Sequence, residues 1–161
     1  MIKGQCDPRF KKIKDIFSYS LESGFETGAA LAIEYKGEVI VNLWGGHKDS
    51  NKSLEWEENT LINVFSVTKG ITAICVSKLI DEGKLDYNQK VSYYWPEYGC
   101  NGKEDTIVSD FLCHRAGMFG FQNGMPKGSW QNWQNFVSHL EAQTPYSMPG
   151  TSQGYHALTY G

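Results

Sequence analysis

Residues 28–46, GAALAIEYKGEVIVNLWGG, constrain the fold more than any other stretch of the chain. Two runs of β-branched, small and aromatic residues flank Lys36-Gly37, a pattern typical of a β-hairpin. Apolar residues fall on both parities of these runs: Leu31, Ile33, Val39, Val41 and Leu43 on one, and Ala30, Ala32, Ile40 and Trp44 on the other. Because two strands alone are marginally stable in water, we expect further strands beside this hairpin and cover on both of its faces.

Four helices are predicted around the hairpin. The first has Asp7 as its cap and Pro8 in its first turn, and it ends just before Gly24. Its apolar residues are Phe10, Ile13 and Phe17, with Ile16 and Leu21 beside them. The second covers residues 66–81, has few polar positions, and is predicted to be a central, buried helix that ends at Gly83.

The other two helices lie in IVSDFLCHRAGM, closing near Gly117, and in GSWQNWQNFVSHLEA. The last of these places Trp133, Phe136, Val137 and Leu140 on one side. No strong strand pattern follows the hairpin. The predicted fold class is therefore α+β, with an antiparallel sheet flanked by helices.

Length, net charge and cysteine spacing limit the classes of function that this chain can have. A length of 161 residues without repeats or linkers predicts a single domain over residues 1–161. A net charge of -3 excludes a nucleic-acid partner, and the absence of a signal peptide or of a long apolar run predicts no membrane partner. Cys6, Cys75, Cys100 and Cys113 show no paired spacing, and Cys75 is predicted to be a free, buried thiol, so a reduced, cytoplasmic setting is expected. No metal-ligand spacing or phosphate-binding glycine loop occurs, so no metal or other cofactor is predicted.

Ser66 and Lys69 form a Ser-x-x-Lys tetrad before the long apolar run. With thirteen Ser and thirteen Lys in the chain, this spacing arises about once by chance. At the first turn of a helix, however, side chains three residues apart share a face, with Cβ atoms about 5–6 Å apart, so the amine can reach the hydroxyl. The helix N-terminus also favours an oxyanion beside the serine. Two interpretations remain: a catalytic pair, or a capping serine with a lysine that extends to solvent.

A lysine acts as a base near pH 7 only when its pKa falls by about three units, and a second titrating group can share that work. Tyr155, in the Pro- and Gly-rich turn of MPGTSQGYHALTYG, is the candidate. His47, His114 and Arg115 are interpreted as structural. His156 is either a partner of Tyr155 or a turn residue.

Three blocks together resemble a known family. VFSVTKGITAICVSKLIDEGKLDYNQKV is similar to the Ser-x-x-Lys region of the serine β-lactamase and penicillin-binding-protein superfamily, and IVSDFLCHRAGM and PGTSQGYHALTYG resemble the two segments that follow it there. The resemblance covers residues 24–161, in the right order and spacing, and within the superfamily is to the class C-like, β-lactamase-related carboxylesterases. It implies Ser66 as the acylated nucleophile, Lys69 as its partner base, Tyr155 as the proton shuttle and a small-molecule ester as the substrate.

Two departures from the family pattern shape these expectations. Ala157 stands where the lactamase branch has Asn, which favours esters over β-lactams; a β-lactamase or D,D-peptidase remains the alternative. The family's third motif does not follow Tyr155, so residues 1–161 are expected to be the N-terminal portion of a single β-lactamase-like domain, truncated before its C-terminal strands. Such a chain would self-associate or need a missing C-terminal segment. The alternative of another class is a non-catalytic fragment or binding subunit.

Overall fold

The computed structural model describes residues 1–125 and 128–160, apart from the side chain of Trp130. Gly161, the last residue of the catalytic segment predicted by resemblance, lies outside the described residues. The chain divides into two compact units, Met1–Asn63 and Val64–Gly161. Within the ranges described, no helix is long and apolar enough to cross a membrane.

The first unit contains a three-stranded antiparallel sheet, β1 (Ile2–Cys6), β2 (Gly28–Tyr35) and β3 (Glu38–Gly46), in the order β1-β3-β2. The β2–β3 hairpin confirms the prediction, and the antiparallel sheet with its helices confirms the predicted α+β class. The strand β1 was not predicted. Its ladder runs from Ile2 opposite Gly45 to Cys6 opposite Val41. The sheet therefore gains its extra strand from before the hairpin rather than after it.

Gly4 allows β1 to approach β3 closely. Its φ of +101° is a conformation that L side chains rarely adopt, and a Cβ atom there would lie 2.0 Å from the backbone oxygen of Asn42. A side chain at this position would clash with the backbone of the central strand. The glycine that weakens the strand signal in the sequence is thus the residue that permits the pairing.

A β-bulge changes which residues of β3 face the core. Ile33 pairs with Val41 but Glu34 pairs with Val39, so Ile40 is an extra residue between the two pairs. Ile40 is consequently buried together with Val41 and Leu43, whereas Val39 is 51% exposed. The predicted parity, which grouped Val39 with Val41 and set Ile40 opposite, is wrong at this end of the strand because one inserted residue reverses the faces.

Helix α1 (Lys11–Glu22) follows a short 3-10 turn, Pro8–Phe10, and covers one face of the sheet. The Asp7 carboxylate caps that turn by accepting the Arg9 N–H at 2.9 Å, as the sequence predicted. Phe17 is buried in the sheet core with Phe10 and Leu21 beside it, but Ile16 is exposed. Ala30 and Ala32 on the other face are exposed too, so the described residues supply the predicted cover on one face only.

The second unit is helical. It contains α2 (Thr68–Asp81) after a 3-10 turn at Phe65–Val67, α3 (Val91–Tyr94), α4 (Val108–Leu112) and α5 (Trp133–Ala142), with 3-10 turns at Pro96–Tyr98 and Ser129–Gln131. In the part of this unit that the structure describes, two small cores stabilise it, one formed by Val91, Tyr98 and Val108 and the other by Ala116, Met118 and Leu140. Trp95 and Phe111 pack against both cores and so connect them.

Helix α2 is present at the predicted place and ends at Gly83, whose φ is +70°. It is not the buried helix that its apolar sequence predicted. Ile71 and Ile74 are 58% and 66% exposed, and Cys75 is a free but exposed thiol. Among the described residues, its neighbours cover one stripe, which consists of Lys69, Thr72, Ala73, Val76 and Ile80, all half-buried. A helix with apolar residues on several faces can be buried on all of them, but in α2 the described residues pack against one face.

Candidate active site

Ser66 lies in the 3-10 turn that leads directly into α2. Its side chain is exposed, and the residue before it, Phe65, has a φ of +45°. A bulky residue with positive φ is strained, and such strain is concentrated at functional sites. The turn therefore presents the Ser66 hydroxyl at the start of the helix rather than within it.

Lys69 lies one turn further along α2, on its half-buried stripe. Its Nζ atom is 3.4 Å from the Ser66 Oγ atom and donates a hydrogen bond to the backbone oxygen of Ala157 at 2.9 Å. The i,i+3 spacing thus brings amine and hydroxyl into contact, as the sequence analysis expected. The Ala157 carbonyl comes from 88 residues further along the chain and fixes the direction of the ammonium group.

Tyr155 joins the same cluster through its aromatic ring. The Lys69 Nζ atom lies 5.3 Å from the ring centroid, and the tyrosine side chain is 61% exposed. The structure thus brings Ser66, Lys69 and Tyr155 together within the second unit. Their catalytic roles stay a prediction.

Tyr160 is a fourth member of this cluster and was not predicted from the sequence. Its hydroxyl donates to the backbone oxygen of Lys69 at 3.1 Å, and its ring centroid lies 5.7 Å from the Lys69 Nζ atom. The only signal in the sequence was a second tyrosine five residues after Tyr155. The Lys69 Nζ atom therefore has two aromatic neighbours, Tyr155 and Tyr160, and both belong to the segment after Ser152.

His156 is a turn residue, which decides between the two roles left open for it. Its Nδ1 atom accepts hydrogen bonds from the backbone N–H groups of Leu158 and Thr159 at 3.2 and 3.3 Å. The Thr159 hydroxyl in turn donates to the Met118 backbone oxygen at 2.8 Å. This turn holds the Ala157 carbonyl in the position where its oxygen accepts a hydrogen bond from the Lys69 Nζ atom.

His114 ends helix α4 and contacts the Tyr155 segment. The Arg115 N–H donates to the Asp110 oxygen at 2.7 Å and the His114 N–H to the Phe111 oxygen at 3.4 Å, the pattern of a Schellman motif. His114 takes the left-handed position of that motif, with a φ of +58°. Helix α4 therefore ends at Leu112, before the predicted end near Gly117.

The two histidines remain neutral near pH 7. Desolvation, followed by the charges of Lys69 and His156, lowers the pKa of His114 below its ordinary value of 6.5. Desolvation and then Lys69 lower the pKa of His156 in the same direction. Burial raises the pKa of the Tyr160 hydroxyl. The two imidazoles therefore carry no positive charge at neutral pH.

His47 and Arg115 have structural contacts, as the sequence suggested. The His47 N–H donates to the Thr27 oxygen at 2.8 Å, and the residue forms a β-bridge with Glu55. The Arg115 Nε atom lies 3.4 Å from an Asp110 carboxylate oxygen, and its guanidinium also donates to the Gly150 backbone oxygen. The contacts of Arg115 connect the end of α4 to the loop before Tyr155.

Known proteins resemble this chain over nearly its full length. The family model described as Beta-lactamase matches residues 13–161. The esterase/beta-lactamase LipL of Mycobacterium tuberculosis (strain ATCC 25618 / H37Rv) is 35% identical over 98% of this chain and 36% of its own length. A family VIII carboxylesterase of known crystal structure is 41% identical, with a TM-score of 0.88 over 98% of this chain and 42% of its own.

A penicillin-binding-protein homologue from Caulobacter crescentus is 36% identical and gives a TM-score of 0.93 over 100% of this chain and 43% of its own. The chain thus spans about two fifths of the length of these relatives. The sequence match and the fold agree, and the blocks on which the resemblance rested lie within the matched region. The chain belongs to the β-lactamase family of the serine β-lactamase and penicillin-binding-protein superfamily.

Proposed function

We propose that this chain carries the acylation site of a serine hydrolase that acts on carboxylic esters, with Ser66 as nucleophile, Lys69 as its partner base and Tyr155 as the proton shuttle. The observation that carries the proposal is the position of the Lys69 amine, 3.4 Å from the Ser66 hydroxyl and over the Tyr155 ring. A nucleophile within reach of a base that a third group orients is the arrangement on which covalent catalysis depends.

In the proposed reaction the Ser66 Oγ atom attacks the ester carbonyl carbon and its proton passes to the Lys69–Tyr155 pair. The carbonyl oxygen becomes an oxyanion near the start of α2, where backbone N–H groups without helical partners can stabilise it. Collapse of the tetrahedral intermediate breaks the bond to the alcohol oxygen, which takes a proton from Tyr155. Water then attacks the acyl-Ser66 ester, releases the acid and returns the hydroxyl to Ser66.

The residue type at position 157 favours esters over β-lactams as substrates. The Ala157 backbone oxygen accepts a hydrogen bond from the Lys69 Nζ atom. The Ala157 methyl group offers no hydrogen-bond donor or acceptor to an amide in the substrate. A hydrogen bond missing from a buried amide weakens a complex by about 1–3 kcal/mol, or roughly 5- to 150-fold. The name of the family VIII carboxylesterase agrees with this preference, whereas LipL is named as both an esterase and a β-lactamase and agrees with either activity.

Labelling identifies the nucleophile. The gene product, expressed from its complete open reading frame, should be acylated by a short-chain nitrophenyl ester and labelled by a fluorophosphonate at Ser66. Ser66→Ala should abolish both. The matched control is Ser77→Ala in the same helix, because the Ser77 hydroxyl donates to the Ala73 oxygen at 2.9 Å and lies away from Lys69 in the chain. Label on another residue, with activity retained in Ser66→Ala, refutes the assignment, and no label at all favours the non-catalytic alternative.

Substrate preference separates the esterase from the β-lactamase alternative. We expect kcat/KM for a butyrate ester to exceed that for nitrocefin, and Ala157→Asn to narrow the difference by about 5- to 150-fold. Comparable values for both substrates in the unmodified protein would favour the β-lactamase.

A further inference from the structure

His114 holds the chain on both sides of Tyr155. Its backbone oxygen accepts the Gly154 N–H at 3.0 Å, and its Nδ1 atom accepts the His156 N–H at 3.5 Å. The imidazole ring itself packs against the phenol ring, with centroids 4.5 Å apart and planes at 40°. Three contacts from one residue therefore fix the backbone before Tyr155, the backbone after it and the ring between.

The backbone of His114 makes these contacts from a strained position. The left-handed residue at the end of a helix is usually Gly or Asn, because other side chains are unfavourable there. A glycine would end α4 with less strain, so the need to end the helix does not explain the imidazole. The part of His114 that a glycine cannot supply is the ring and its Nδ1 acceptor.

We propose that His114 is a positioning residue for Tyr155, acting through its Nδ1 acceptor; the inference rests on the proposed function, in which Tyr155 transfers the proton. The acceptor role requires Nδ1 to be unprotonated, with the ring proton on Nε2. Protonation of the imidazole removes the acceptor and releases the His156 N–H.

The titratable and charged groups near His114 come from α2, from the segment after Ser152 and from its own chain neighbours. Lys69 faces it from α2, Tyr155, His156 and Tyr160 face it from the following segment, and Cys113 and Arg115 are its chain neighbours. Desolvation, the Lys69 ammonium and His156 all lower the pKa of His114. The accepting form is therefore the one present at pH 7.

Two variants that both tolerate positive φ separate the side chain from the backbone. His114→Gly keeps the turn but removes ring and acceptor, whereas His114→Asn keeps an acceptor at the position of Nδ1. A misplacement of about 1 Å can lower a rate about 10²-fold, so we expect His114→Gly to lower kcat about 10- to 100-fold with little change in KM. His114→Asn should stay within about threefold of the unmodified protein. The control is His139→Asn on α5, where Nδ1 contacts the Asn135 oxygen of its own helix.

The pH profile provides the second measurement. As the pH falls through the lowered pKa of His114, which lies below 6.5, the unmodified protein should lose kcat because protonation of Nδ1 removes the acceptor. His114→Asn should lack that loss, because an amide does not titrate. His114→Gly with unchanged kcat, or His114→Asn as impaired as His114→Gly, overturns the inference while Ser66 labelling still supports the hydrolase. Absence of Ser66 labelling in the unmodified protein refutes the proposed function and this inference with it.

Discussion

The strained backbone at Phe65 predicts an inverted response to glycine. At most positions Gly is less stable than Ala by about 0.5–1 kcal/mol, because glycine loses more conformational freedom on folding. At Phe65, with a φ of +45°, an alanine must occupy the left-handed region, which is unfavourable by about 1–2 kcal/mol for any residue with a Cβ atom. Phe65→Gly should therefore be more stable than Phe65→Ala by about 1 kcal/mol.

This comparison isolates the backbone because both variants remove the aromatic ring and whatever it contacts. Val67, two residues on, is the control: its φ of -59° and ψ of -28° are ordinary helical values. There Val67→Gly should be less stable than Val67→Ala, so the two pairs should differ in sign and by about 1.5–2 kcal/mol in total.

Urea unfolding followed by circular dichroism measures both pairs. With m values of about 1–3 kcal/mol per molar, a difference of 1 kcal/mol displaces the midpoint by about 0.3–1 M. If Phe65→Ala is as stable as Phe65→Gly, or more stable, the backbone before Ser66 is not strained and the argument fails. If the inversion occurs, the rate of Ser66 labelling in the glycine variant shows whether the strain also contributes to reactivity.

Other positions give equally direct tests. Burial raises the pKa of Tyr98 from 10.0 to about 12, so the unfolded chain ionises first and the free energy of unfolding should fall by about 2 kcal/mol as pH rises from 10 to 12. Tyr98→Phe should remove that loss when unfolding is measured at both pH values. Gly4→Ala should destabilise more than Gly37→Ala, by at least about 1 kcal/mol, because both have positive φ but only Gly4 lies against the Asn42 backbone; equal thermal unfolding of the two would contradict the close approach. Lys103 is 1% exposed and donates to two backbone oxygens at the end of α5, so Lys103→Met should lose about 2–4 kcal/mol in denaturant unfolding, and a loss under 0.5 kcal/mol would show that these carbonyls find other donors.

Local signals in the sequence were sufficient for most of the secondary structure. The Asp7 cap, the Lys36-Gly37 turn and the Gly83 end of α2 each depend on a few neighbouring residues, and the structure places all three as expected. The strand β1 escaped prediction because five residues with a central glycine give little alternation. Its stability comes from pairing with residues about 40 positions away, which no local pattern contains.

The contacts of the candidate site also fall into those that are local in sequence and those between distant segments. Ser66 and Lys69 are neighbours on one helix turn, so their contact followed from spacing alone. Tyr155 was a candidate because of its Pro- and Gly-rich turn and was supported by the family resemblance, and the structure places it beside Lys69. His114 packs against Tyr155 and Tyr160 contacts Lys69, each across a long separation in the chain, so no local pattern in the sequence pointed to either contact. The interpretation of His114 as structural is therefore incomplete, since its ring lies against the proposed proton shuttle.

The order β1-β3-β2 has a consequence for protein synthesis, because the central strand is the last of the three to leave the ribosome. The strands β1 and β2 do not pair with each other, so neither has a sheet partner until β3 emerges. At about 5–20 residues per second, the 40 residues from the end of β1 to the end of β3 take roughly 2 to 8 s to translate. Hairpins form in about 1–10 μs. Translation speed, rather than the intrinsic folding rate of the hairpin, therefore sets when this sheet can form, and the apolar strand β2 stays accessible to chaperones until then.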